Sequence, residues 1–129
     1  MTEHPNAAAA RRSYEAWNSG DLDVIREYFT DDAVLHLAGN NARSGTYRGR
    51  DAVMDALARD IQGWGPHAEV ETILGSDHHV IVFCRITCER DGKTLDVVLT
   101  EAIKFNAEGK VTEAWALSND QRGYEQFYS

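Results

Sequence analysis

The sequence predicts an α+β fold in one domain spanning residues 1–129. Helical periodicity is confined to the first half of the chain, and alternating apolar strands fill the second. Tight-turn sequences join those strands, Asp91-Gly92 in one connection and Asn106-Ala107-Glu108-Gly109 in another. Helices first and antiparallel strands after is the α+β order. No repeat, low-complexity segment or linker interrupts the chain, and 129 residues suffice for one hydrophobic core.

Residues 1–6 read as a loose tail. A first helix is predicted from Ala7 to Ser19, with Ala7, Ala10, Tyr14 and Trp17 on one stripe. Asn18-Ser19-Gly20-Asp21 ends it and caps a second helix from Leu22 to Phe29, with Leu22, Ile25, Tyr28 and Phe29 turned inward. Thr30-Asp31-Asp32 reads as a turn before a short apolar strand around His36. Residues 40–50 read as a loop with an extended piece at Thr46 to Arg48. A third helix follows from Asp51 to Gln62, with Ala52, Val53, Ala56, Leu57 and Ile61 on one face. Gly63-Trp64-Gly65-Pro66 breaks it. Four strands complete the chain: His67 to Leu74, His78 to Arg90, Leu95 to Phe105 and Val111 to Leu117.

Charge and composition narrow the function classes. Lys plus Arg total 13 against 21 Asp plus Glu, a formal net charge of −8. That balance disfavours nucleic acid, whose phosphates call for a basic surface. The Ala7–Ala10 run meets Arg11-Arg12 at once and lacks a signal-peptide core, and no apolar stretch is long enough for a bilayer. The expected location is the cytoplasm, with no membrane partner. The only cysteines, Cys84 and Cys88, share one strand face at a spacing of roughly 13 Å, too far for a disulfide. They read as small core hydrophobes.

Two residues stand out for chemistry. His36 lies in the apolar run Ala33-Val34-Leu35-His36-Leu37-Ala38, where Val34, His36 and Ala38 face one side and Leu35 and Leu37 the other. Histidine titrates near neutrality and serves as acid or base with little tuning. Glu101 shares a strand face with Val97, Leu99, Ile103 and Phe105. A carboxyl group on an apolar face is paired, protonated or turned into a wet cavity.

Several segments together resemble the nuclear-transport-factor-2-like superfamily, in its SnoaL-like and ketosteroid-isomerase-like branch. They are Asn18-Ser19-Gly20-Asp21-Leu22-Asp23, Tyr28-Phe29-Thr30-Asp31-Asp32-Ala33-Val34 and Gly45-Thr46-Tyr47-Arg48-Gly49. The last hairpin, Phe105-Asn106-Ala107-Glu108-Gly109-Lys110-Val111, and the tail from Trp115 to Gln121 with Phe127-Tyr128-Ser129 agree. The resemblance implies a cone: a strongly curved mixed sheet wrapped around three helices, enclosing an apolar pocket, with a homodimer through the sheet. It also implies site residues. The general base of the ketosteroid isomerases falls on His36, counting back from Arg43-Ser44-Gly45. The protonated acid of their oxyanion hole falls on Glu101. Their first-helix tyrosine falls on Ser13, one residue from Tyr14, so steroid isomerisation itself is not implied.

With these placements, Tyr14 and Trp17 on the first helix and Val53 and Leu57 on the third are expected around the pocket. From the strands come Val82, Cys84, Ile86, Leu99 and Trp115, with Asp120 at the mouth. No metal is expected: His4, His67, His78 and His79 lack ligand spacing, and His78 and His79 point to opposite faces. No phosphate loop, dinucleotide fingerprint or nucleophile elbow occurs, so no cofactor is expected. An epoxide hydrolase is less well matched, because the inward strand positions hold no Asp–Arg–Asp set. The expectation is a small cofactor-independent acid–base enzyme on a hydrophobic carbonyl compound, working through an enol or enolate as isomerase, cyclase or dehydratase. A polyketide-like or other secondary-metabolite substrate fits it. The alternatives are a non-catalytic protein of the same fold that binds hydrophobic small molecules, and a scaffold with a vestigial cavity.

Overall fold

The computed structural model describes residues 3–129. In chain order the elements are α1 (Pro5–Ser19), α2 (Leu22–Tyr28), β1 (Phe29–Leu37), β2 (Gly45–Arg48) and α3 (Arg50–Gly63). β3 (His67–Gly75), β4 (His79–Arg90), β5 (Lys93–Phe105), β6 (Val111–Ser118) and α4 (Gln121–Phe127) follow. The six strands form one curved, unclosed sheet in the order β2-β1-β6-β5-β4-β3. All neighbours are antiparallel except β1 and β6, which run parallel and make the sheet mixed. The helices pack into its concave side, as the cone architecture requires.

The structure departs from the sequence reading at α1, β1 and the C-terminus, and β5 begins at Lys93 rather than Leu95. α1 begins at Pro5 rather than Ala7; proline suits the first helical position, and the His4 ring accepts from the Asn6 N–H. Residues 1–2 of the predicted tail lie outside the described residues. β1 starts at Phe29 with no turn at Thr30-Asp31-Asp32, and its register against β6 slips between Phe29 and Val34. A fourth helix stands where three are expected. Asp120 caps it by accepting from the Gly123 N–H, and it buries Tyr124 and Phe127, followed by Tyr128. Gly123 within so short a segment hides its periodicity in the sequence.

α1 is tied to β3 and its flanking turns at both ends. Asn6 Nδ2 donates to the Ser76 and Asp77 carbonyls near its start. Near its end Trp17 Nε1 donates to the Pro66 carbonyl at 2.9 Å, and Asn18 brackets the Ala68 backbone at 2.7 and 2.8 Å. Gly75 permits the close approach between: a Cβ there would stand 3.0 Å from the Ala7 Cβ. These ties fix the rotation of α1, and with it the direction of Tyr14. Gly20, at φ +74°, closes the helix in the left-handed region.

Strand alternation sorts the sheet into two unlike faces. Val80, Val82, Cys84 and Ile86 of β4 and Leu95, Val97, Leu99 and Ile103 of β5 are buried against the helices. Each such side chain contributes about 1.5–3 kcal/mol on burial. The convex face leaves large apolar groups open: Phe83 is 41% exposed, Trp115 39% and Leu117 58%. Both cysteines are free thiols. Among the described residues no helix is long and apolar enough to cross a membrane.

Candidate active site

A cavity of about 90 Å³ opens between the concave sheet face and helices α1, α2 and α3. One water needs roughly 10–15 Å³, so this is far larger than a packing defect. Most of its wall is apolar, with Ile25, Leu35, Leu37, Leu57 and Ile103 contributing. Six polar side chains interrupt that wall: Ser13, Tyr14, Tyr28, Arg43, Asp60 and Glu101.

Glu101 and Tyr14 make the first polar pole. Glu101 comes from β5, on the same inward face as Leu99 and Ile103. The Tyr14 hydroxyl donates to its Oε1. Burial pushes the Glu101 carboxyl above the usual carboxylate range, while the Tyr14 hydrogen bond and the Arg43 charge pull the other way without cancelling it. Burial, reinforced by the charge of Glu101, keeps the Tyr14 phenol protonated well above its ordinary value. The pair is thus a carboxyl group tuned toward proton exchange beside a hydroxyl that remains a donor.

Arg43 and Asp60 make the second pole. Arg43 Nε faces Asp60 Oδ2 at 2.6 Å, and Asp60 is 1% exposed. The Tyr128 hydroxyl donates to Asp60 Oδ1 at 3.2 Å, and Arg43 Nη1 donates to the Tyr124 hydroxyl. Burial raises the Asp60 carboxyl, and Arg43 only partly offsets it. For Arg43 burial opposes the charge, but Asp60 and the tyrosines outweigh it and hold the guanidinium protonated. The loop between β1 and β2 delivers Arg43. Glu125 of α4 accepts from the Asn40 N–H and from Asn41 Nδ2, each at 2.8 Å, and pins that loop.

Of the residues expected at the site, Glu101, Tyr14, Trp17, Leu57, Ile86 and Leu99 line the cavity. Val53, Val82 and Cys84 are core residues outside its lining, each 0% exposed. Burial pushes the Cys84 thiol up to about 12, consistent with an inert core thiol. Trp115 lies on the convex face, and Asp120 serves as the α4 cap. His36 is the main departure. Leu35 and Leu37 take the inward positions of β1, so alternation turns His36 to the convex face, away from Glu101. There its Nε2 meets the Glu113 carboxylate at 2.7 Å, its Nδ1 lies 3.2 Å from the Thr46 hydroxyl, and its ring stacks on Trp115. Tyr14, in turn, faces the pocket although the resemblance places the tyrosine position at Ser13.

Sequence reasoning missed Arg43 and Asp60. For Asp60 a signal exists: with Val53 and Leu57 it keeps the i, i+4, i+7 spacing of a buried helical stripe. Arg43 lies in a loop, where no periodicity reports direction. Together Asp60, Arg43 and Glu101 form an acid–base–acid set that strand positions alone could not show. Among the described residues no cluster of three or more His, Cys, Asp or Glu side chains is placed to hold a metal ion.

Comparison with known proteins agrees with this architecture. Residues 10–114 match the family defined by a SnoaL-like domain. An uncharacterized protein of Mycobacterium tuberculosis is 29% identical, the match covering 100% of both chains. The solved structure of Bal32a, from a soil-derived mobile gene cassette, is 32% identical and covers 96% of each chain at a TM-score of 0.90. IdmH of Streptomyces antibioticus, a candidate polyketide cyclase, is 25% identical at a TM-score of 0.77, covering 96% of this chain and 99% of its own.

Proposed function

The chain belongs to the SnoaL-like domain family, and we propose that it is a small cofactor-independent acid–base enzyme acting on a hydrophobic carbonyl compound through an enol or enolate. The observation that carries this reading is the Glu101–Tyr14 pair: a carboxyl group with a raised pKa, held by one neutral donor, in an otherwise apolar cavity. Glu101 takes the proton next to the substrate carbonyl. The Tyr14 hydroxyl turns to the developing enolate oxygen, and the positive charge of Arg43, which reaches Glu101, favours that anion. Return of the proton at another carbon gives isomerisation, and attack of the enolate on a second carbonyl gives cyclisation. The candidate cyclase activity of IdmH supports the second outcome and a polyketide-like substrate.

Enolisation is readable without knowing the product. The protein is incubated with α-tetralone in deuterated water, and loss of the α-proton signal is followed by NMR. The wild-type protein accelerates exchange, and Glu101→Gln removes the acceleration while α-tetralone still binds. Equal exchange by the variant sinks the role of Glu101. Binding of α-tetralone with no exchange in the wild type favours the non-catalytic binding protein.

The Asp60–Arg43–Glu101 set favours a second reading, epoxide opening. One carboxylate would take a proton from water as the water oxygen attacks ring carbon. The other, protonated, would give its proton to the epoxide oxygen as the C–O bond breaks. Conversion of methylcyclohexene oxide to a diol, lost in Asp60→Asn, tests it; no conversion by wild type removes it.

Self-association through the convex sheet face is part of the proposal. Ile81 and Phe83 of β4 lie in register, across β5, with Trp115 and Leu117 of β6, giving an open apolar surface beside the His36–Glu113 pair. Sedimentation of the wild type as a dimer, and of Leu117→Asp as a monomer, is expected; a monomeric wild type overturns it.

A further inference from the structure

Tyr28 is a polar group in the cavity wall that the proposed proton transfer does not use. Its hydroxyl is buried and has no hydrogen-bond partner. Its ring is held edge-on by Phe29 at 5.4 Å and by Phe105 at 5.7 Å, so the hydroxyl's position is set by packing. Ser13 stands beside it on the cavity wall, but the Ser13 hydroxyl donates to the Ala10 carbonyl at 2.7 Å. Burial, then the charge of Glu101, hold the Tyr28 phenol protonated through the neutral range against a smaller opposing pull from the neighbouring Ser13 hydroxyl, which lies outside hydrogen-bond geometry, and so leave it a donor.

A buried donor left unpaired costs free energy, and native structures rarely keep one without a use. α2 supplies Tyr28 and α1 supplies Ser13 and Tyr14, so the two hydroxyl donors enter the cavity from different helices. We propose that Tyr28 is a specificity residue, and that the ligand is a compact, otherwise apolar molecule with two oxygen functions. One is the carbonyl that receives the Tyr14 hydrogen bond beside Glu101; the other is an acceptor, a second carbonyl or an ether oxygen, that receives the Tyr28 hydrogen bond. This rests on the cavity holding a carbonyl ligand, and not on proton transfer taking place there. A dioxygenated substrate is also what enolate cyclisation consumes, since the enolate of one carbonyl attacks the other.

The test compares dissociation constants of α-tetralone and its ring-oxygen analogues chromanone and isochromanone, which place an ether oxygen at two positions in a nearly unchanged shape. In the wild-type protein one analogue is expected to bind roughly three- to tenfold tighter than α-tetralone, the range of one neutral hydrogen bond. Tyr28→Phe should bring that ratio to about one and leave α-tetralone binding within about twofold. A ratio that persists in Tyr28→Phe overturns the proposal. So does a wild type that favours neither analogue, whether all bind alike or none binds. The variant loses only an unpaired oxygen and should melt at or above the wild-type temperature; a clear loss of stability would reveal a structural partner and overturn it too. Failure of the acid–base reading is seen separately, in deuterium exchange by wild type and Glu101→Gln, because the binding ratios require no turnover.

Discussion

The concave and convex faces of the sheet each carry an acidic side chain bonded to a neighbour, and the two pairs behave differently. On the concave side Glu101 meets Tyr14 in a largely apolar cavity, and burial dominates its protonation. On the convex side Glu113 meets His36 at 2.7 Å with about a quarter to a third of each side chain exposed. Two glutamates on adjacent strands thus acquire different chemistry from the face of the sheet to which alternation turns each one. Water screens the outer pair and leaves it a modest surface contact. The inner carboxyl lacks that screening, and its free energy depends on each neighbour.

The largest expected effect separates the faces by activity. Glu101→Gln should slow α-proton exchange by roughly 100- to 10,000-fold, the usual worth of a general base. His36→Ala should leave exchange near wild type. A reversed result in the NMR assay would restore the histidine to the site and break the comparison.

Stability gives the next contrast. Arg43→Met leaves Asp60 buried without its cation and should cost about 3–5 kcal/mol in urea unfolding. The double variant Arg43→Met with Asp60→Leu should recover most of it, since the uncompensated charge is gone. A single variant as stable as wild type would mean that Asp60 is neutral in the native protein.

The pH dependence sharpens the account of Glu101. Its folded pKa lies above the unfolded value of about 4.3. Below both values the two states are protonated alike. As pH rises, the unfolded carboxyl ionises first, so the wild type loses stability until the folded carboxyl also ionises. Glu101→Gln lacks this loss. Its stability relative to wild type should therefore rise with pH from about 4.3 and level off above the folded pKa. A flat difference across paired urea melts would show an unshifted carboxyl. The smallest effect belongs to the convex face: Glu113→Gln should change stability by less than about 1 kcal/mol.

The strands and first three helices were legible because burial period and turn chemistry are local. Val80, Val82, Cys84 and Ile86 alternate, and Gly20 and Asp91-Gly92 punctuate. The same alternation already put His36 opposite Leu35 and Leu37; counting along the resembling family assigned it to the pocket, and the sheet's curvature places the leucines there instead. Glu101 was legible because an acid interrupting Leu99 and Ile103 stands out on either face. α4 was not, being short, with Gly123 inside it and packing supplied by Tyr124, Phe127 and Tyr128 against distant strands.

By itself the sequence determined the α+β order, the strand faces, and the presence of one carboxyl group on an apolar face. These follow from interactions within a few residues, which periodicity records. Only the tertiary structure decided which face of β1 closes on the helices, that Tyr14 meets Glu101 across 87 residues, and that Arg43 and Asp60 pair inside the cavity. Those contacts join distant segments, and their free energy depends on shared burial that no single segment contains.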